Sequence, residues 1–351
     1  MSSVPRSAGF SMPPEWVPHT RTWMEFPTAN QTFGADADGE LGHFRGIWMG
    51  VTNAIAAFEP VSVVCNVGES DIARRLVAPD VAANIEFFET PINDAWVRDS
   101  GPTFLVHPDG RLGATHWRFN AWGNGGFSEF HDEQHVGAFI AGLAGAELFS
   151  SSMVNEGGGI HVDGRGTVMI TSTVQLDPDR NPTLNAESVD TELRAFLGAT
   201  STVWLPRGLT KDYDRFGTRG HIDIVACFTP TGVVLAHTQR DPQHPDYEVC
   251  RENLAILRAS RHADGTPFEV VEVPAPVTIE ADGDIVDWSY INHYVCNDAV
   301  IMCAFDDPND EVVAEIAAKA YPGRRIVLHD ARDVFACGGG IHCITQQQPA
   351  V

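Results

Sequence analysis

The sequence predicts an α/β protein built from repeated units, and three observations carry that prediction. Short apolar stretches of strand character recur at 102–106, 167–170, 233–236 and 300–303. Marked at Thr103, Val168, Val234 and Val300, they step by 65, 66 and 66 residues. Segments with helical spacing of apolar residues fill the intervals, and strands alternating with helices argue for α/β. Even spacing points to a repeat architecture in which each unit buries its face against its neighbours.

Taken in order, the first unit opens near Thr22-Trp23-Met24, with helices expected at 45–58 and 70–77. The strand at 102–106 precedes a helix at 131–148, and that at 167–170 a helix at 186–197. The strands at 233–236 and 300–303 precede helices at 247–259 and 309–320, and the last unit begins near Arg325-Ile326-Val327-Leu328. Five units of roughly 65–70 residues then fill the chain. No low-complexity block, charge run or Pro/Ser linker divides it, so a single domain over 1–351 is expected.

Composition removes several function classes. The 351 residues are 43% apolar, enough for a large core, yet no run reaches the ~18 apolar residues of a membrane span. Residues 1–10 lack a basic head followed by an apolar stretch, so no secretory signal is expected. Seven cysteines without such a signal read as reduced thiols in the cytoplasm. Forty-seven acidic residues against 23 basic ones give a net charge of −24. That field repels nucleic acid and anionic membrane and favours a cationic small molecule as partner.

Polar clusters lie beside the marker strands: Asn93-Asp94-Ala95-Trp96-Val97-Arg98-Asp99, Glu156-Gly157-Gly158-Gly159-Ile160-His161, Gly220-His221-Ile222-Asp223 and Ser289-Tyr290-Ile291-Asn292. The fifth place is taken by Gly338-Gly339-Gly340-Ile341-His342-Cys343. Three consecutive glycines carry an entropic cost and mark a place where backbone approaches something closely. Chain ends usually fray, so a glycine-clamped cysteine there makes sense if the terminus is drawn back into the molecule. Units repeating around an axis would bring all five clusters together.

Such a cluster suits one chemistry. A cysteine nucleophile needs a proton-handling partner, which His221 can supply. Asp99, Glu156 and Asp223 suit a planar cation, because carboxylates accept the paired N–H bonds of a guanidinium. Singly, each residue has a plainer explanation. Asp99 could pair with Arg98, Glu156 could cap a turn, Asp223 could be a strand-edge charge, and Cys343 could be an inert buried thiol. Together they favour the functional reading.

These residues, with Met12-Pro13-Pro14-Glu15-Trp16, Arg98-Asp99-Ser100-Gly101-Pro102, Phe119-Asn120-Ala121-Trp122-Gly123, Asn181-Pro182, Trp204-Leu205-Pro206-Arg207-Gly208 and the run 339–347, resemble the agmatine deiminase family, related to the bacterial peptidyl-arginine deiminases. The likeness runs in order from about Gly9 to Ala350. It implies a pentein fold, a five-bladed α/β propeller with pseudo-fivefold symmetry. It also implies hydrolysis of a guanidine C–N bond to a carbamoyl product and ammonia, without metal or organic cofactor. By motif, Cys343 is the nucleophile, His221 the acid/base, Glu156 its orienting acid, and Asp99 and Asp223 the guanidinium grip. Trp96 lines the substrate slot, and Asn292 is placed with the substrate-binding residues. A homo-oligomer is left open.

The departures cluster around the site's mouth: Glu25-Phe26-Pro27 after the first strand, Ser172-Thr173-Val174, Thr218-Arg219 ahead of Gly220, the loop 124–126, and a short stretch between Ile279 and Ser289. Arg219, two residues from His221, would repel a distal ammonium or bind a carboxylate if it faced the pocket. Otherwise it turns to solvent or pairs with Asp214 or Glu25. Agmatine is therefore the first expected substrate, and a carboxylate-bearing guanidine recognised by Arg219 the alternative. Two further rivals are a metal-dependent guanidine hydrolase using His161-x-Asp163 and His221-x-Asp223, and a non-catalytic scaffold. The other six cysteines are expected to serve as small buried hydrophobes.

Overall fold

The computed structural model describes residues 4–124, 129–281 and 283–351. Residues 1–3, and Gly125 and Gly126 of the loop singled out above, lie outside the described residues.

One unit is used five times. A strand pairs antiparallel with its predecessor, and a crossover through a helix then adds a parallel strand on its other side. The second sheet runs Thr103–Val106, Leu112–Arg118, Glu147–Val154, with helix Glu133–Leu143 as its crossover. The third runs His161–Val162, Thr167–Thr171, Ser201–Leu205 through helix Ala186–Leu197. The fourth runs Ala226–Phe228, Val233–Thr238, Glu269–Pro274 through Asp246–Ala259. The fifth runs Tyr294–Val295, Ala299–Ala304, Arg325–Asp330 through Asn309–Ala320. The first sheet is built across the termini. Gln346–Pro349 pairs antiparallel with His19–Glu25, which pairs parallel with Val61–Cys65 after helix Glu40–Ala56, and Ile85–Glu89 adds a fourth strand. A small hairpin, Glu280–Ala281 with Asp284–Ile285, stands apart from these sheets.

The central strands of the third, fourth and fifth sheets are largely apolar runs because both of their faces are covered. Thr167–Thr171 is buried at all five positions. Helix Ala186–Leu197 shows how local sequence sets element ends. Asn185 accepts the Ser188 N–H at 3.0 Å while Ser188 Oγ accepts that of Asn185 at 2.9 Å. Gly198 at φ +76° then ends it in the left-handed conformation.

Several expectations need correction. The step of 65 residues joined strands that are not equivalent, since Thr103 lies on an outer strand whereas Val168, Val234 and Val300 lie on central ones. The central strands start at 112, 167, 233 and 299, stepping by 55, 66 and 66. Likewise Arg325–Asp330 closes the fifth sheet and opens no new unit. The helix expected at 131–148 stops at Leu143, because Gly145 at φ +67° turns the chain into the strand that begins at Glu147. That expected at 70–77 is one turn, Ser70–Arg74, and the one expected from 45 begins at Glu40.

The terminus is drawn back as expected. Trp23 Nε1 donates to Gln348 Oε1 at 2.9 Å across the pair of strands made by the two ends of the chain. Gln348→Ala, which strands this buried indole N–H, is expected to lower the unfolding free energy by about 1–3 kcal/mol in urea titration.

Candidate active site

Helix Arg332–Ala336 is followed by the three glycines, and each is required where it stands. Gly338 has φ +112°, and a Cβ there would lie 2.3 Å from the Phe216 carbonyl. At Gly339 a Cβ would meet both Cys343 Sγ and the Trp96 ring at 2.9 Å; at Gly340 it would meet Asn292 Oδ1 at 2.5 Å. Backbone without side chains is thus threaded between the Trp96 turn and Asn292, delivering Cys343 to the interior at 3% exposure. Its Sγ lies 3.2 Å from Asn292 Nδ2, a donor to it, and 3.5 Å from Asp223 Oδ2.

Asp99 sits in the turn Val97–Ser100, all four residues of which are buried. Its Oδ1 accepts the Gly158 N–H at 3.0 Å and its Oδ2 the Trp122 indole at 2.8 Å. Ala121 and Trp122 take the left-handed conformation, φ +54° and +56°, to bring that indole in. Strain of this kind in consecutive non-glycine residues is typical of functional sites. Trp96 is held from behind by Trp48, ring centroids 5.6 Å apart at 76°.

Two histidine–carboxylate arms converge on this centre. His221 Nε2 lies 3.3 Å from Glu156 Oε2, and its Nδ1 is 3.9 Å from Asp99 Oδ2. His342 bridges two acids, Nδ1 to Asp223 Oδ2 and Nε2 to Glu15 Oε1, both at 2.9 Å. Arg98 adds a cation 3.5 Å from Glu15 and donates Nε–H to the His342 carbonyl at 3.2 Å. Three buried polar atoms have no hydrogen-bond partner among the described residues at this centre: His221 Nδ1, Asp223 Oδ1 and Arg98 Nη2.

Protonation follows from this geometry. Burial opposes charge on His221, but Asp99, the hydrogen bond to Glu156, and Asp223 outweigh it and raise its pKa to about 9. Burial would raise Glu156, yet Arg180 and His221 hold it down to about 2. For Asp223 burial is overcome by the His342 hydrogen bond, so its pKa falls, whereas burial dominates at Asp99 and its pKa rises. Burial, then Asp223 and Asp99, push the Cys343 thiol well above its ordinary value. The protein alone therefore presents a neutral thiol and an imidazolium beside ionised Glu156 and Asp223 at neutral pH.

The sequence pattern of the Porphyromonas-type peptidyl-arginine deiminase family matches residues 11–349. The chain belongs to that family. A Streptomyces avermitilis protein, whose provisional name is agmatine deiminase, is 51% identical over 99% of this chain and 99% of its own length. The structure of Enterococcus faecalis agmatine deiminase is similar at TM-score 0.91 and 31% identity, covering 100% of this chain and 98% of that one. A Cys-to-Ser variant of C. jejuni agmatine deiminase with substrate bound gives TM-score 0.85 at 26% identity, over 97% of this chain and 96% of that one.

In this family member the structure brings together Cys343, His221, Glu156, Asp99, Asp223, Asn292 and Trp96. Arg219 is held by two aspartates. Its Nη1 donates to Asp177 Oδ2 and Asp179 Oδ2, each at 2.8 Å, and its partners are neither Asp214 nor Glu25. Asp214 pairs with Lys211 and Glu25 accepts from Ser100. Asp99 does not pair with Arg98. Of the residues drawn as metal ligands, Asp163 is engaged by His262 at 2.7 Å and His161 accepts the Phe228 N–H at 3.3 Å. Glu15, Trp122 and His342 lie within the quoted motifs, but the sequence does not assign them to this charge network. Their partners lie 23 to 327 residues away, so no spacing reveals them.

His221 also links stability to pH. Its folded pKa, about 9, exceeds the ordinary 6.5, so its charge contributes stability that is complete below about 6.5 and lost as pH rises through about 9. The stability advantage of wild type over His221→Gln is expected to be on the order of 3 kcal/mol at pH ~6 and to shrink steadily toward pH ~10 in denaturant titrations.

Proposed function

We propose that the chain is an agmatine deiminase, hydrolysing agmatine to N-carbamoylputrescine and ammonia through a covalent intermediate on Cys343. The observation that carries the reading is one buried thiol set 3.5 Å from Asp223 Oδ2, while Asp223 Oδ1 has no hydrogen-bond partner among the described residues. Family membership and the relatives named for agmatine deiminase support it. In this reading the five sheets are the blades of a pentein propeller, with the site on its axis and one catalytic domain across 1–351. Support for that arrangement is the five-fold use of one strand–helix unit and the meeting of the turns Val97–Ser100, Gly157–Gly159 and Ile222–Ile224. All seven cysteines are free thiols, which fits a cytoplasmic enzyme.

A guanidinium stays protonated, with pKa about 12.5 or higher, and its resonance makes the carbon a poor electrophile. Asp99 and Asp223 hold it planar and charged, Asp223 Oδ1 being the acceptor still open for a substrate N–H. Burial and the carboxylates keep the thiol neutral, and the cation's charge offsets the carboxylates, so Cys343 loses its proton to solvent as the substrate binds. Sulfur then forms a bond to the guanidinium carbon. His221, with Nε2 committed to Glu156, delivers the Nδ1 proton to an amino group of the tetrahedral species. The C–N bond breaks and ammonia leaves. Neutral His221 next takes a proton from water, hydroxide adds to the amidino carbon, and the S–C bond breaks to release the carbamoyl product.

Agmatine is favoured over a carboxylate-bearing guanidine because Arg219 is already bound between two aspartates. Ammonia, with urea assayed in parallel, is to be measured on agmatine, arginine, guanidinobutyrate and peptides ending in arginine. Wild type is expected to release ammonia from agmatine without urea, and Cys343→Ala to lose roughly a thousand-fold or more in kcat. Ammonia only from the carboxylate-bearing compounds would overturn the substrate and bring Arg219 back into the site. Urea release insensitive to Cys343→Ala would overturn the chemistry.

A further inference from the structure

We infer that Arg180 is a positioning residue for this reaction, one guanidinium that locks Glu156 to the backbone presenting His221. The inference rests on the deiminase reading above. Arg180 is fully buried. Its Nε donates to Glu156 Oε1 at 2.9 Å and Oε2 at 3.1 Å, Nη1 to Asp177 Oδ2 at 2.9 Å, and Nη2 to the Thr218 carbonyl at 2.7 Å. All three nitrogens are thus used, on three separate stretches of chain.

Thr218 is the near end of the segment that carries His221. Its Oγ1 accepts the His221 N–H at 3.1 Å. Buried Asp212 gathers the same segment, accepting from Thr218 N at 2.7 Å, Thr218 Oγ1 at 2.7 Å, Gly220 N at 2.6 Å and His221 N at 3.2 Å. Glu156 arrives from the other side on the segment before Gly157–Gly159. Arg180 joins the two, so the 3.3 Å contact between Glu156 and His221 is fixed through a third group. Asp177 extends the clamp outward, since its Oδ2 is shared by Arg180 and the half-buried Arg219.

Charge makes the clamp necessary as well as geometry. Glu156 is buried among Asp99, Asp223 and His221, and Asp212 also acts on His221. Arg180 is the strongest of the influences that keep the Glu156 carboxyl ionised in that place. Without it Glu156 takes up a proton and stops orienting the imidazole. Lysine preserves the charge, but a single ammonium cannot reach three fixed partners in a planar fork.

The test uses Arg180→Lys and Arg180→Gln in the full chain, with melting temperature monitored. Arg180→Lys is expected to lower kcat for agmatine roughly ten-fold or more while KM stays within about three-fold, because the substrate grip at Asp99 and Asp223 is untouched. Wild-type kcat in this variant would overturn the inference. In Arg180→Gln the Glu156 carboxyl, identified by the carbon-13 signal lost in Glu156→Gln, is expected to titrate between about pH 4 and 8, where the wild-type group stays ionised. An acid limb should appear on kcat over the same range. A carboxyl that remains ionised throughout would overturn it. Should Arg180→Gln fail to fold, the lysine variant decides. Should wild type release no ammonia, the deiminase reading fails while the carboxyl titration still judges the clamp.

Discussion

Asp223 can be ionised at the centre of this protein only because His342 meets it with an N–H at 2.9 Å, and His342 can carry charge there only because Glu15 holds its other face at the same distance. An isolated buried carboxylate would simply take up a proton. Here every acid around the thiol has a cationic or hydrogen-bonding counterpart: His342 for Asp223, Arg180 and His221 for Glu156, Arg98 and His342 for Glu15. Asp99 is served by an indole and a backbone N–H instead. It is the least compensated of these acids, and its pKa rises while that of Asp223 falls. A cation would stabilise both.

The fold exists around that arrangement. Glu15 precedes the first strand, and His342 and Cys343 precede the last, so the first sheet, which pairs the two ends of the chain, also holds both ends of the charge network in place. Gly339 admits Cys343 beside Trp96, and Gly158 admits His221, where a Cβ would lie 2.4 Å from Nδ1. Bare backbone on two sides brings the reactive groups together.

Much of this was legible in the sequence, for stated reasons. Helices 186–197 and 309–320 appear at the expected bounds because capping residues or amphipathic spacing mark both ends locally. Cys343, His221, Glu156, Asp99 and Asp223 stood out because each lies in a glycine-marked or acid-rich cluster. The repeat was read with one wrong register. The stretch at 102–106 is as apolar as a central strand although it is an outer one, and composition does not encode which neighbour a strand pairs with. Arg180 and His342 were opaque for another reason. An arginine in a turn and a histidine beside a cysteine have many ordinary explanations, and their partners at 156, 218, 15 and 223 become neighbours only in the folded chain. Arg219 was left open because nearness in sequence to His221 does not say where a side chain points; its φ of +67° belongs to a turn in which the side chain meets Asp177 and Asp179.

The central claim is that burial, together with the acids which grip the substrate, keeps Cys343 protonated until the substrate arrives. Proton release on mixing with guanidinium ion in weakly buffered solution near neutral pH tests it most directly, with Cys343→Ala as the reference. The account predicts about one more proton released per bound cation by wild type than by the variant. Equal release by the two proteins, with binding shown in both, would contradict it: the thiolate would then pre-exist, or the thiol would remain neutral beside the cation.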